Sequence, residues 1–136
     1  DLVDEAVGIL DRFGRGEFAA VFRARAAMLR EDPVVVESAY TAAFEAVAPS
    51  VRRQLELELA SYHYHQRDYA GAVRWFEQSD QWLDHEQAAR EYARSLHALG
   101  QFSRVAAVLE GYRGPVDPPP AWLLDLRARL AGTRDD

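Results

Sequence analysis

The sequence predicts an all-α fold built of short antiparallel helical hairpins. Apolar residues recur three and four positions apart along almost the whole chain, which is the spacing of an amphipathic helix. No stretch of useful length alternates between apolar and polar residues as a half-buried strand does. The one obvious loop is residues 114–120, which contain four prolines. We therefore expect eight short helices joined by links of a few residues.

The first half of the chain carries three of these helices. The first covers about residues 2–13. The second presents a stripe of mostly large apolar residues: Phe18, Val21, Phe22, Met28 and Leu29. The third begins after Asp32, whose carboxylate can cap free N–H groups, has Pro33 in its first turn and ends at Pro49. Its stripe is continuous: Val36, Ala39, Tyr40, Ala43, Phe44 and Val47.

Five further helices follow in the second half. Four precede the proline-rich loop, and their stripes are Val51, Leu55, Leu59 and Tyr62; Tyr69, Ala72, Val73 and Phe76; Ala89, Tyr92, Ala93, Leu96 and Leu99; and Phe102, Val105, Val108, Leu109 and Tyr112. The last helix, residues 119–131, buries Trp122, Leu123, Leu126 and Leu130. It turns Asp125, Arg127 and Arg129 to solvent, as an end cap requires. We expect Gly132 to end it.

Two segments of the chain align with each other without a gap: "LASYHYHQRDYAGAVRWFEQS", residues 59–79, and "YARSLHALGQFSRVAAVLEGY", residues 92–112. Each begins with a large residue followed by a small one, Leu59-Ala60 and Tyr92-Ala93. A turn follows, at Asp68-Tyr69 in the first copy and at Gly100-Gln101-Phe102 in the second. The second helix of each copy then has an A-x-x-x-F pattern or its equivalent, Ala72 with Phe76 and Val105 with Leu109.

This pattern resembles the tetratricopeptide repeat family, whose unit is two helices of about 34 residues in total. The resemblance implies one domain over residues 1–136, stacked as a short α-solenoid. Residues 1–52 would form divergent hairpins, residues 53–118 two repeat units and residues 119–131 a C-terminal capping helix. The chain begins with Asp in a helix-like pattern, which we interpret as a fragment of a longer protein.

The cluster Tyr62-His63-Tyr64-His65 raises the question of a metal or catalytic site. On a helix, His63 and His65 point about 200° apart and cannot share a metal, since ligand pairs need a spacing of three or four. In the repeat register His63 occupies a packed position between two helices. The chain has no Cys and no pattern of a nucleophilic triad, phosphate loop or zinc protease. We therefore expect no enzyme activity, metal or cofactor.

Charge and hydropathy exclude two further classes of partner. The formal net charge of −6 argues against a broad nucleic-acid surface, because phosphate contacts are made mostly by clustered basic residues. The longest apolar run is about five residues, far short of a membrane span, and the acidic N-terminal segment does not fit a signal peptide. We expect a cytoplasmic protein that binds neither nucleic acid nor membrane.

The family resemblance implies a concave groove lined by the first helix of each unit. Carried over by register, the groove residues are Leu57, Ser61, Tyr64, His65, Gln87, Arg90, Arg94 and His97. Two patterns agree with this assignment. Leu57, Ser61 and Tyr64 form a second stripe away from the core face, and Arg90, Arg94 and His97 form a ladder along one helix edge. The alternative is a solvated face on which Glu86 pairs with Arg90, a contact worth only about 0.3–0.5 kcal/mol.

We predict from this groove a protein-interaction scaffold that binds a peptide or an acidic segment of a partner protein. Arginine is well suited to carboxylate recognition and lies here on an otherwise acidic chain. One alternative is a sensory or regulatory domain of a larger transcription regulator or signalling ATPase, in which such arrays occur. A less favoured alternative is a metal-dependent enzyme that uses the four histidines.

Overall fold

The computed structural model describes residues 3–4, 16–29, 32–79, 82, 85–113 and 119–134. This part of the chain contains seven α-helices and no strand: α1 (Gly16–Met28), α2 (Pro33–Ala46), α3 (Pro49–His65), α4 (Tyr69–Ser79), α5 (Glu86–Ala98), α6 (Phe102–Gly111) and α7 (Ala121–Arg134). The all-α prediction is confirmed. The helix expected at 2–13 lies almost wholly outside the described residues, as do positions 114–118 of the proline-rich loop.

The chain divides into two compact units, Asp1–Leu59 and Ala60–Asp136, so that α3 contributes residues to both. In the first unit α1 packs on α2. Helix α2 begins as its sequence predicts, because an Asp32 oxygen accepts a hydrogen bond from the Val34 N–H at 2.8 Å and Pro33 occupies the first turn. Its predicted stripe supplies four buried side chains: Val36, Tyr40, Ala43 and Phe44.

The stripe predicted for α1 is wrong. Phe18 is 57% exposed and Phe22 42% exposed, and Leu29 is still more accessible. The buried positions are instead taken by small residues, namely Ala19, Ala24 and Ala27. Alanine lets two helix backbones approach closely, so the face of α1 that is buried is the one with the smallest side chains. A search for large apolar residues therefore selects the opposite face.

A polar network lies within the first unit. The Glu58 carboxylate accepts hydrogen bonds from Arg25 Nε at 3.0 Å, from Arg25 Nη2 at 2.7 Å and from the fully buried Tyr40 hydroxyl at 3.0 Å. Burial raises the pKa of the Tyr40 hydroxyl, and the charge of Glu58 raises it further. The hydroxyl therefore stays protonated and remains a donor. Each buried polar group here has a partner, as native interiors require.

Helix α5 is central to the second unit, where it packs against α4, α6 and α7. The predicted stripes of these helices are buried with three exceptions: Tyr69 is half-buried, and Leu99 and Phe102 at the α5–α6 turn are exposed. The Phe76 ring of α4 stacks on the Tyr92 ring of α5, with centroids 5.6 Å apart. Ala72 is fully inaccessible and Ala70 is exposed, so the buried face predicted for α4 is confirmed.

The same turn joins α3 to α4 and α5 to α6. Each contains a residue with positive φ, Arg67 (62°) in the first turn and Gly100 (74°) in the second. The N–H of that residue donates to the carbonyl three residues earlier at 3.0 Å in both turns. The next N–H donates to the carbonyl five residues earlier, at 2.9 and 3.0 Å. These are two Schellman motifs, and they stand at equivalent positions of the two aligned segments.

Helix α7 buries the four apolar residues predicted for it and exposes Asp125, Arg127 and Arg129. The Trp122 Nε1 donates to Glu86 of α5 at 3.1 Å. The helix runs on to Arg134, so the expected stop at Gly132 is wrong. A glycine ends a helix by adopting a left-handed backbone. Among the described glycines only Gly100 has a positive φ, and Gly132 is simply part of the helix.

Candidate functional site

A pocket of about 270 Å³ lies in the second unit. Its lining residues come from the end of α3, the start of α4, the second half of α5 and one face of α7: Tyr64, Tyr69, Arg94, His97, Ala98, Asp125, Leu126 and Arg129. We call this set the α5–α7 pocket. Small-molecule sites usually enclose about 300–1,000 Å³. The α5–α7 pocket is therefore better matched to one or two side chains of a peptide.

Two tyrosines form an aromatic wall of the α5–α7 pocket. The Tyr64 and Tyr69 ring centroids are 6.1 Å apart, and the rings meet edge to face at 65°. Tyr64 stands at the end of α3 and Tyr69 at the start of α4, so the tight turn at Arg67 brings them together. Both are half-buried, and they offer apolar surface to a ligand at low entropic cost.

The α5–α7 pocket also carries a cation, Arg94, that has no counter-ion among the described residues. Arg94 is exposed on α5, and its guanidinium forms no hydrogen bond or ion pair with any residue that the structure describes. The second arginine differs, because Arg129 Nε lies 3.0 Å from Asp125 Oδ2 one turn earlier in α7. The pocket therefore holds two guanidinium groups and one carboxylate. Arg94 supplies the remaining positive charge.

His97 adds an unsatisfied polar atom to the α5–α7 pocket. Its Nε2 is buried and has no hydrogen-bond partner among the described residues, while its ring packs edge to face on Phe102 at 5.3 Å. A buried polar group without a partner costs about 1–3 kcal/mol. A ligand atom that reached this nitrogen would recover part of that cost.

The structure brings three of the eight predicted groove residues, Tyr64, Arg94 and His97, into the α5–α7 pocket. Two others, Gln87 and Arg90, line a separate hollow of about 490 Å³ near the start of α5. The ion pair between Glu86 and Arg90 expected for a solvated face is not formed. Glu86 instead accepts the hydrogen bond from the indole of α7.

The remaining three predicted groove residues, Leu57, Ser61 and His65, line neither hollow. Leu57 belongs to the first unit and is half-buried, as is Ser61 in the second. His65 Nε2 lies 3.4 Å from Glu91 Oε2, an oxygen that also accepts from Gln87 at 3.3 Å. Glu91 is almost fully buried, and both contacts go to Oε2, whereas its Oε1 has no hydrogen-bond partner among the described residues.

Sequence reasoning missed five lining residues: Tyr69, Ala98, Asp125, Leu126 and Arg129. The three on α7 were assigned only to a buried stripe or a solvent face. Their part in the α5–α7 pocket depends on how α7 packs against α5 across a proline-rich loop. No periodic pattern specifies that packing. The one available signal was the opposite charges of Asp125 and Arg129 at a spacing of four.

Each histidine of the Tyr62–His65 cluster contacts a different carboxylate, His63 that of Asp68 and His65 that of Glu91. His63 is only 5% exposed, and its Nδ1 lies 3.0 Å from the Asp68 carboxylate, so the prediction of a packed position is confirmed. Among the described residues, no group of three His, Cys, Asp or Glu side chains could hold a metal ion. In the same part of the chain, every helix is too short or too polar to cross a membrane.

No family model, curated protein or solved structure matches this chain. The resemblance to tetratricopeptide repeats therefore remains a prediction from the sequence.

Proposed function

We propose that this chain is a tetratricopeptide-like protein-interaction domain whose α5–α7 pocket binds an acidic segment of a partner protein. The observation that carries the proposal is the position of Arg94. It lines a pocket with an aromatic wall and has no counter-ion among the described residues. A guanidinium presents a planar fork of donors that matches the two oxygens of a carboxylate.

The repeated turns support the tetratricopeptide-like part of this proposal. Helices α4 and α6 begin at Tyr69 and Phe102, which align with each other in the sequence repeat, and each follows a Schellman turn with the same hydrogen bonds. In a repeat array the first helices of successive units line one surface. We place α3 and α5 in that role and α7 in the role of the terminal cap.

The chemistry of the pocket defines the ligand that would fit. A carboxylate oxygen would pair with the free guanidinium of Arg94, and the apolar carbons next to it would lie against the Tyr64 and Tyr69 rings. Because Arg94 is exposed, such a contact is screened by salt, with a screening length of about 8 Å at 0.15 M. We expect weak, salt-dependent binding that uses no catalytic residue, metal ion or cofactor.

The direct test is a binding comparison between two peptides and three proteins. One peptide alternates leucine and glutamate, the other replaces each glutamate by glutamine, and both are acetylated and amidated to remove terminal charges. Fluorescence anisotropy would compare the parent protein with Arg94→Glu and with Arg127→Glu. Arg127 is the matched control, since it is exposed on α7 but does not line the α5–α7 pocket.

We expect the parent protein and Arg127→Glu to bind the glutamate peptide, more weakly as salt is raised, and Arg94→Glu to lose that binding. Equal binding of the two peptides, or a loss confined to Arg127→Glu, would contradict the proposal. The alternative of a sensory or regulatory domain in a larger protein stays a prediction, because nothing in the described residues bears on it.

A further inference from the structure

We infer that Asp125 sets the charge preference of the α5–α7 pocket, favouring a singly charged carboxylate over a doubly charged phosphate monoester. The inference rests on the proposed function and deepens it, because it names the acidic group that the pocket selects. It would distinguish partners that carry glutamate or aspartate from partners that carry a phosphorylated residue.

The pocket is lined by two arginines, Arg94 and Arg129, and by one carboxylate, Asp125. Asp125 Oδ2 lies 3.0 Å from Arg129 Nε, so the charge of that guanidinium is already compensated within α7. Arg94 has no such partner among the described residues. The net positive charge available to a ligand is therefore one. A carboxylate carries one negative charge at neutral pH, whereas a phosphate monoester carries about 1.5 to 2.

Carboxylate and phosphate groups also differ in the number of hydrogen-bond donors that they need. A carboxylate has two oxygens, and a single guanidinium can bind both. A phosphate has three terminal oxygens and needs a second cation, for which the candidate in this pocket is Arg129. A phosphate that reached Arg129 would lie beside the Asp125 carboxylate, which is 3.0 Å from Arg129 Nε. Two like unit charges about 6 Å apart in water repel each other enough to weaken an affinity by about threefold. Because phosphate carries more than one negative charge, its repulsion from Asp125 is larger than that of a carboxylate.

The substitution Asp125→Asn removes the negative charge and keeps the size of the side chain. It also removes the carboxylate that contacts Arg129, so that a phosphate beside Arg94 and Arg129 would no longer lie next to a charged Asp125. The matched control is Glu110→Gln, which removes the same charge from an exposed position on α6 outside the pocket. A general change in net charge would act equally in both variants, whereas a change at the site would appear only in Asp125→Asn.

The experiment uses three acetylated and amidated pentapeptides of alanine and leucine whose central residue is glutamate, phosphoserine or glutamine. Their affinities for the full chain are measured by titration with NMR detection, which reports weak binding. We expect the parent protein and Glu110→Gln to bind the glutamate peptide at least as tightly as the phosphoserine peptide. In Asp125→Asn the ratio of the two affinities should shift towards phosphoserine by about three- to tenfold.

The possible failures are distinguishable. An unchanged ratio in Asp125→Asn, an equal shift in Glu110→Gln, or a parent protein that prefers phosphoserine overturns the role of Asp125. In these cases the proposed function stands as long as glutamate binds better than glutamine. If the parent protein binds none of the three peptides, or binds glutamate and glutamine equally, the proposed function fails and this inference fails with it.

Discussion

The two equivalent turns of the second unit offer a paired test of the fold. Arg67 and Gly100 occupy the same position in the two Schellman motifs, with φ values of 62° and 74°. Only glycine adopts this region without steric cost. We therefore predict that Gly100→Ala lowers the free energy of unfolding and that Arg67→Gly raises it.

The structure isolates the conformational contribution at both sites. A Cβ added at Gly100 would meet no atom within 4 Å, so no packing clash adds to the cost. A left-handed conformation costs an L-residue roughly 1–2 kcal/mol, and losing glycine from the unfolded chain returns about 0.4–1 kcal/mol. The difference is a loss of about 1 kcal/mol for Gly100→Ala. The Arg67 side chain makes no hydrogen bond or ion pair with the described residues, so Arg67→Gly should gain a similar amount.

Urea unfolding followed by far-UV circular dichroism measures both effects, and equal slopes show that the variants unfold between comparable states. Opposite shifts of the two midpoints are the expected result. If Gly100→Ala leaves the midpoint unchanged, or if Arg67→Gly lowers it, a residue in the left-handed conformation is not what ends α3 and α5. The two turns would then not owe their stability to the same backbone conformation.

Two further predictions concern packing and pH. Ala72→Leu overpacks a fully buried position and should lower the free energy of unfolding, measured in urea, by about 1–3 kcal/mol. Ala70→Leu lies on the exposed side of α4 and should be nearly neutral. Equal stabilities of the two variants would refute the register assigned to α4. Burial raises the pKa of the Glu56 carboxyl, although neighbouring arginines partly lower it. The folded chain then holds this proton more tightly than the unfolded chain, so the free energy of unfolding falls as pH rises from the ordinary pKa of Glu to the raised pKa of Glu56. Glu56→Gln removes the titrating group, so thermal unfolding of this variant should depend less on pH within that range.

Elements that follow from local chemistry could be predicted from the sequence. The cap at Asp32 and the proline after it specify where α2 begins, because both act on the free N–H groups of the first turn. The four apolar residues of α7 predict its buried face for an equally local reason: a helix exposes its other side to water. Where one periodic face is much more apolar than the other, the sequence alone determines which face is buried.

Helix α1 could not be predicted in this way. Its alanines are buried and its phenylalanines are exposed, which reverses the order that hydrophobicity indicates. The close approach of α1 and α2 depends on backbone geometry, and alanine is common on both faces of α1. Size complementarity at a helix crossing is a tertiary property, and periodicity in one helix does not report it.

The candidate site was predictable only in part, for a related reason. Tyr64, Arg94 and His97 were identified because they lie at accessible register positions of α3 and α5. Asp125 and Arg129 belong to a helix that follows a proline-rich loop, and the sequence does not specify how that helix is oriented. The charge of the pocket therefore could not be worked out before the structure, although the charge of Arg94 could.

The repeat itself explains why the ligand is harder to predict than the fold. Ala60 and Ala93, which occupy the same position in the two copies, are both fully buried, and the close packing of their helices requires a small side chain. The next position in each copy, Ser61 or Arg94, remains partly or fully accessible and bears no such constraint. Arg94 of the α5–α7 pocket thus lies at a position where the repeat does not require a particular side chain. In the tetratricopeptide-like array that we propose, such positions could change the ligand without disturbing the core, so the residues that fit the repeat best carry the least information about binding.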